Sequence, residues 1–137
     1  MMLQKISDNN NVLTWFEIPV LDTTRAKKFY ETIFDIVMTT KTFTETNEEL
    51  TFFPYDPNVK QALSGRVTGV LSKSKDRTPT EKGIFIYINA SPHIQVVIDK
   101  VEKAGGKVLI PKTEAPFGLF SVILDTEGNR IGLHAEE

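Results

Sequence analysis

The chain has 137 residues and a formal net charge of -2, and it contains no cysteine. Its length fits one domain, and 40% hydrophobic with 25% charged residues is typical of a folded globular protein. The lack of cysteine excludes disulfides, thiolate zinc sites and cysteine nucleophiles. Mild acidity gives no electrostatic reason for a nucleic-acid partner, and no apolar run reaches the ~18–20 residues that span a bilayer. Because the first residues lack an apolar signal core, we expect a cytoplasmic protein with no membrane partner.

The first half of the chain predicts a strand, a helix and three further strands. Val12–Val20 is rich in β-branched and aromatic residues, as strands are. Asp22 and Thr23 are favourable N-caps for a helix. Its apolar positions recur at helical spacing and are Ala26, Phe29, Tyr30 and Ile33. Further strands are predicted at 36–43, 49–53 and 63–71, with a proline-containing loop at 54–58.

A polar stretch at 72–82 is predicted to be a linker, and the same pattern starts again after it. Gly83–Ala90 is typical of a strand, and Ser91-Pro92 is predicted to be an N-cap followed by the first helical residue. The helical stripe is Ile94, Val97, Ile98, Val101 and Ala104, and Gly105-Gly106 ends it. Strands are predicted at 107–111, 119–124 and 130–135, with a tight turn at 125–129.

The two halves therefore repeat one β-α-β-β-β pattern. Their helical stripes match at a shift of 68 residues, as in the pairing of Ala26 with Ile94. Each helix covers one face of a four-stranded sheet, and the other face must find something to cover it. We predict an α+β fold of one domain over 1–137, with module 1 at 12–71 and module 2 at 83–135. Curved mixed sheets would surround a cavity, with the helices outside.

Three stretches of sequence resemble the vicinal oxygen chelate superfamily, which includes glyoxalase I, extradiol dioxygenases and bleomycin-resistance proteins. EIPVLDTTRAKKFYETIF resembles the family's first strand and helix, and VEKAGGKVLIPKT its second helix and next strand. FGLFSVILDTEGNRIGLHA resembles its closing hairpin. The polar linker also falls where the family's modules join. The resemblance covers Leu13 to Ala135 and implies paired βαβββ modules. Superfamily members commonly pair modules within or between chains, so we expect a homodimer, although the sequence does not decide which pairing occurs.

The resemblance also implies a divalent metal held by His and Glu side chains from both modules. Three of the family's ligand positions match Trp15, Phe85 and Gly132, whose side chains cannot coordinate such a cation. The fourth position falls in the predicted strand 63–71, which has no His, Asp or Glu. We therefore predict no metal, no other cofactor and no glyoxalase I activity through that metal. A rebuilt site with displaced ligands stays open as an alternative.

Glu17 and His134 are the candidate catalytic residues. Alternation along a strand puts Glu17 on the face of Trp15, and His134 on the face of Arg130 and Gly132. Both would look into the cavity, where they could act as an acid–base pair, hold a displaced metal or form a hydrogen bond. Alternatively, Glu17 forms a salt bridge with Arg130 or faces water, and His134 is an exposed histidine. His93 is interpreted as a surface residue.

Five other residues are candidate ligand contacts. Trp15 and Phe85 would form aromatic walls that suit a flat or apolar molecule, or else would fill a core. Tyr87 and Asn89 could present a hydroxyl and an amide to the ligand. Arg130 could bind a carboxylate or phosphate, or pair with Glu17 or Asp125.

Three functions remain open from the sequence. The first is metal-independent binding of a small organic molecule between the sheets. The second is a related lyase or isomerase, or a dioxygenase-like enzyme, that uses Glu17 and His134. The third is an interaction domain whose cavity is filled by side chains.

Overall fold

The computed structural model describes residues 6–60 and 62–137, which form two four-stranded mixed sheets and two helices. The α+β class and the repeated order are confirmed. In module 1 the elements are β1 (Trp15–Pro19), α1 (Thr23–Phe34), β2 (Thr39–Phe43), β3 (Glu48–Phe52) and β4 (Thr68–Lys73). In module 2 they are β5 (Tyr87–Asn89), α2 (Ile94–Val101), β6 (Lys107–Ala115), β7 (Gly118–Leu124) and β8 (Arg130–Ala135).

The two sheets have the same strand order. It is β1-β4-β3-β2 in module 1 and β5-β8-β7-β6 in module 2. In each sheet the first strand lies at the edge and pairs in parallel with the last strand, and the other pairs are antiparallel. The strand β4 continues to Lys73, two residues into the predicted linker.

Helix α1 begins as the sequence predicts. Asp22 is its N-cap, and the side chain accepts a hydrogen bond of 2.9 Å from the amide of Arg25. Its four predicted apolar residues are all buried. The helix ends at Asp35, which adopts a left-handed backbone with φ 53°.

Helix α2 begins later than predicted. Its N-cap is His93, so the prediction of Ser91 as N-cap and Pro92 as the first helical residue is wrong. The amide of Ser91 is bound instead by the side-chain oxygen of Asn89 at 2.9 Å. The amide of Ile94 donates to the carbonyl of Glu137 at 2.8 Å. The helix therefore starts against the C-terminal residue rather than on a serine hydroxyl.

The helix-bearing faces of the two sheets share one hydrophobic core. Helices α1 and α2 contact each other, whereas contacts between strands occur within each sheet among the described elements. The buried cluster draws on both modules and includes Ile18, Leu71, Phe29, Ile123 and Leu133. No helix in 6–60 or 62–137 is long and apolar enough to cross a membrane.

The β7–β8 turn of module 2 docks into module 1 through buried polar side chains. Asp125 accepts a hydrogen bond of 2.6 Å from the Tyr30 hydroxyl. Asn129 donates to the carbonyl of Pro19 at 2.7 Å. Burial, together with the charge of Asp125, raises the pKa of the Tyr30 phenol well above its ordinary value. The phenol therefore stays neutral and can donate at any ordinary pH.

Glu127 in the same turn is fully covered. Its carboxylate accepts from the amides of Leu21 and Asp22 at 2.8 Å and from Arg25 at 2.7 Å. The hydrogen bond and the charge of Glu127 raise the pKa of the Arg25 guanidinium. This turn connects the start of α1 to the end of module 2.

Candidate functional site

The face of each sheet that lies away from the helices is the candidate site, and we call it the outer face. Side chains alternate along a strand, and Phe16 and Ile18 of β1 pack on the helix side. Trp15 and Glu17 therefore lie on the outer face of module 1. In module 2, Tyr87 pairs with Gly132, and Asn89 pairs with His134. These four residues share the outer face of module 2, so the predicted grouping of residues within each face agrees with the register.

An aromatic cluster covers the outer face of module 2. The ring centroids of Phe85 and Tyr87 are 5.1 Å apart, and those of Tyr87 and Phe117 are 6.1 Å apart. Phe117 also lies 6.0 Å from Phe120 and 5.8 Å from the His134 ring. Phe117 is 54% exposed and Tyr87 is 48% exposed, so the rings face outwards and remain accessible.

Gly132, which the sequence resemblance matches to a glutamate ligand, lies beneath this cluster. A Cβ atom on Gly132 would lie 2.6 Å from Cδ1 of Tyr87 and 2.9 Å from Cε2 of Phe85. Carbon atoms in ordinary contact stay at about 3.5–4.0 Å. The space for a ligand side chain is therefore occupied by aromatic rings.

The residues present do not fit the metal of the metalloenzymes in the family. Tyr87 and Phe85 fill the space at Gly132, and Trp15 has no atom that binds a hard or borderline cation. Within 6–60 and 62–137, no three His, Asp or Glu side chains come together as a metal-binding group.

His134 holds the tip of the β6–β7 hairpin. Its Nε2 lies 2.7 Å from the carbonyl oxygen of Phe117. A carbonyl can only accept, so Nε2 carries the hydrogen, and in the neutral ring Nδ1 is the basic atom. A side chain at Gly118 would meet the ring, because a Cβ there would lie 2.9 Å from Nε2.

The polar candidates on module 2 have separate surroundings. The Asn89 side chain is engaged with the amide of Ser91. Among the described carboxylates, none forms an ion pair with Arg130. The alternatives in which Arg130 pairs with Glu17 or Asp125 are therefore not what the structure contains.

The outer face of module 1 combines aromatic rings with charges. Trp15 packs edge-on against Phe52 at a centroid distance of 6.0 Å, and Phe52 lies 5.8 Å from Tyr55. The Lys41 ammonium lies 5.4 Å from the centre of the Phe52 ring. The indole nitrogen of Trp15 donates to Glu17 at 3.3 Å.

Glu17 forms its ion pair with Arg77, a residue of the polar segment after β4. The predicted pairing with Arg130 is corrected by this contact. Arg77 also lies 3.7 Å from Glu48. In the described structure Glu17 and His134 stand on different sheets, and no hydrogen bond or ion pair joins them.

A cavity of about 490 Å³ opens between the two modules on the helix side. Its walls are mainly apolar and include Phe16, Phe34 and Ile86. Tyr87 and Asn89 line it, whereas Trp15, Glu17, Phe85, Arg130 and His134 do not. The predicted site residues therefore belong to the outer faces and not, as a set, to this cavity.

Sequence reasoning missed Arg77 and Phe117. Arg77 is the only arginine of the polar stretch 72–82, and this signal was available. Phe117 is a large apolar residue in the predicted loop between Pro116 and Gly118, whereas the tip of a hairpin normally carries small or polar residues.

Comparison with known proteins agrees with the fold. A family model described as the Glyoxalase/Bleomycin resistance protein/Dioxygenase superfamily matches residues 12–133. The chain belongs to this superfamily. A search of curated proteins gives no match.

Solved structures share the fold at low sequence identity. Glyoxalase I from Zea mays is 17% identical with a TM-score of 0.65, over 90% of this chain and 46% of that chain. The chain thus spans about half the length of the maize enzyme. A glyoxylase/bleomycin resistance protein/dioxygenase domain from Frankia sp. EAN1pec has a TM-score of 0.68 and 16% sequence identity. The match covers 93% of this chain and 98% of the Frankia domain. Leishmania major glyoxalase I, described as trypanothione-dependent, has a TM-score of 0.64 and 20% sequence identity. The match covers 92% of this chain and 87% of the Leishmania enzyme.

Proposed function

We propose that the protein binds a small, flat organic molecule on the aromatic outer face of module 2, without a metal. The observation that carries the proposal is the packing of Tyr87 and Phe85 over Gly132. The family position that would hold a cation is filled by the rings of Tyr87 and Phe85, which are 48% and 36% exposed. Accessible aromatic rings bind flat ligands by stacking and by removing apolar surface from water.

The proposal gives each predicted contact residue a role. Phe85 and Tyr87 form the floor against which the ligand stacks. Asn89 and Arg130 supply polar contacts at its edge, and Arg130 is suited to a carboxylate on the ligand. Trp15 forms the opposite wall, contributed by the other module.

The opposite wall comes from a second copy of the chain, so we propose a homodimer. Within one chain the helix-bearing faces share the core, and the two outer faces lie away from it. Each outer face therefore needs a partner surface to form a closed cleft. Analytical ultracentrifugation at several concentrations tests this, and a monomer at all of them would contradict it. The single domain over 1–137 and the cytoplasmic location remain predictions.

Ligand binding is tested with a library of flat aromatic molecules, neutral and carboxylate-bearing, using thermal shift and then calorimetry in EDTA. We expect a ligand whose affinity falls at least about tenfold in Tyr87→Ala, which corresponds to about 1.4 kcal/mol. Val96→Ala is the matched control, because Val96 is a similarly exposed apolar residue on α2. Binding that requires added metal, or that survives Tyr87→Ala unchanged, would overturn the proposal.

A catalytic role for Glu17 and His134 is the second candidate function. It is favoured by the hydrogen bond from His134 Nε2 to Phe117, because this bond leaves Nδ1 as a base. In the proposed dimer, Glu17 of one copy would face His134 of the other. A glyoxalase I assay with and without added divalent metal tests the candidate. We expect no metal-dependent turnover, and any turnover that His134→Gln leaves intact would exclude His134 as the base.

A further inference from the structure

Two carboxylates on the outer face of module 1 already hold an organic cation of the protein itself. Glu17 lies on β1 and Glu48 on β3, and Arg77 reaches back from the polar segment to both. The two glutamate side chains are 27% and 24% exposed, whereas that of Arg77 is 52% exposed. The guanidinium thus lies at the surface while its acceptors are partly covered.

The neighbouring side chains also suit a cation. Trp15 and Phe52 present aromatic rings, whose faces attract positive charge. Lys41 lies over the Phe52 ring at 5.4 Å. Two different cationic side chains of this chain therefore occupy the same face.

A buried hydroxyl on this face has no partner. Ser72 of β4 is 1% exposed and pairs in register with Pro19 and Leu50, so its side chain lies on the outer face. Its Oγ atom has no hydrogen-bond partner among the described residues, and neither has that of Ser74, two residues on. Buried polar atoms are nearly always satisfied by protein, water or ligand, so these hydroxyls are free to bind a group that reaches this face.

We infer that the outer face of module 1 is a binding site for an organic cation, a planar amidinium or guanidinium on an aromatic body. Arg77 is its intramolecular occupant. The ligand's N–H groups take the place of the Arg77 guanidinium on Glu17 and Glu48, and its ring packs against Trp15. Planar cations with forked donors match carboxylates in this way.

Displacement of Arg77 is physically reasonable. Ion pairs exposed to solvent contribute little, because water solvates both charges when the pair separates. Arg77 belongs to the polar segment between the modules and not to either sheet. This site shares Trp15 with the cleft of the proposed dimer but uses neither Gly132 nor Tyr87, so the inference stands even if the surface over Gly132 binds nothing.

Benzamidine and benzamide provide the sharpest test, because they have nearly the same shape and differ in charge. Trp15 is the only tryptophan of the chain, so its fluorescence reports on this face. We expect benzamidine to bind Arg77→Ala about two- to fivefold more tightly than it binds the wild type, as removing a weakly held internal competitor predicts. Benzamide should show no such gain. An equal gain for benzamide, or no gain for benzamidine, would overturn the inference.

Two further variants keep the test decisive. Arg77→Gln removes the charge with a smaller change in shape, and it should reproduce the gain if Arg77→Ala folds poorly. Adding Glu17→Gln to either variant should abolish the gain, and persistence of the gain would exclude this site. Lys103→Ala, on an exposed residue beyond α2, is the control for net charge. The ratio of benzamidine affinity to benzamide affinity tests the cation site on module 1, and the library test with Tyr87→Ala tests the aromatic face of module 2. Either test can fail while the other succeeds.

Discussion

Two arginine–glutamate pairs of this protein differ in how their carboxylates are covered. Arg25 and Glu127 join module 1 to the β7–β8 turn of module 2, and the Glu127 side chain is 0% exposed. Arg77 and Glu17 meet on the outer face of module 1, where the Glu17 side chain is 27% exposed. The two arginine side chains are similarly exposed, at 49% in Arg25 and 52% in Arg77. The buried carboxylate also accepts two backbone amides, whereas Glu17 accepts from the exposed indole of Trp15.

The difference in how the two carboxylates are covered predicts different roles for the two ion pairs. Removing one partner of a buried, hydrogen-bonded pair leaves polar groups without solvent, so such a pair resists change. A half-exposed pair can open at little cost, which leaves its carboxylates available to a ligand. The same two residue types therefore connect the modules at one place and form a candidate binding site at the other.

The largest expected effect is the loss of stability in Glu127→Ala. The substitution leaves the amides of Leu21 and Asp22 without their acceptor, and we expect a loss of about 2–4 kcal/mol in the free energy of unfolding. Glu17→Ala is the matched control, with an expected loss below about 1 kcal/mol. Urea unfolding measures both. Equal losses would contradict the distinction between the two pairs.

The pH dependence of stability gives a smaller effect with a defined sign. Burial alone would raise the pKa of Glu127, but the hydrogen bonds from Arg25 and from the two amides lower it below the ordinary 4.5. A carboxyl with a lower pKa in the folded state stabilises above its unfolded pKa, and this contribution is lost as the pH falls through the folded pKa. Below about pH 4.5, wild type should therefore lose stability more steeply than Glu127→Gln.

Urea titrations at a series of pH values measure this difference. Parallel curves for wild type and Glu127→Gln would show that Glu127 does not carry the effect.

Local pattern was sufficient to predict the repeat. The stripe of α1, its Asp22 cap and the β-α-β-β-β order follow from spacing along the chain, and the structure confirms them. The start of α2 could not be predicted from local spacing. Its first amide, that of Ile94, donates to the carbonyl of Glu137, which is distant in sequence. The helix propensity of residues near 91–94 carries no information about a hydrogen-bond partner so far away in sequence.

The faces of the candidate site were predictable and their partners were not. Strand alternation placed Glu17 with Trp15, and His134 with Gly132. The partner of Glu17 was not predicted, because Arg77 lies in a polar segment whose path no periodicity constrains. The packing of Tyr87 over Gly132 required the register between β5 and β8.

Gly132→Ala tests the packing of aromatic rings on the outer face of module 2, and we expect an intermediate effect on stability. The new methyl group overlaps Tyr87 and Phe85, which must move away. Both rings are partly exposed, so we expect a loss of only about 1 kcal/mol in stability. A crystal structure of the variant should show the two rings displaced, and unchanged rings would mean that they do not depend on the missing side chain.

The smallest expected effect on stability belongs to Arg77→Ala, at less than about 0.5–1 kcal/mol. This small value is informative because a weakly held internal competitor of this size accounts for a change in benzamidine affinity of about two- to fivefold. A residue that only supports the fold would change stability without this gain in benzamidine affinity, as Glu127 should. Urea unfolding of Arg77→Ala beside Lys103→Ala measures the first quantity. If Arg77→Ala lost as much stability as Glu127→Ala, the exposed pair would be structural and the contrast between the two pairs would fail.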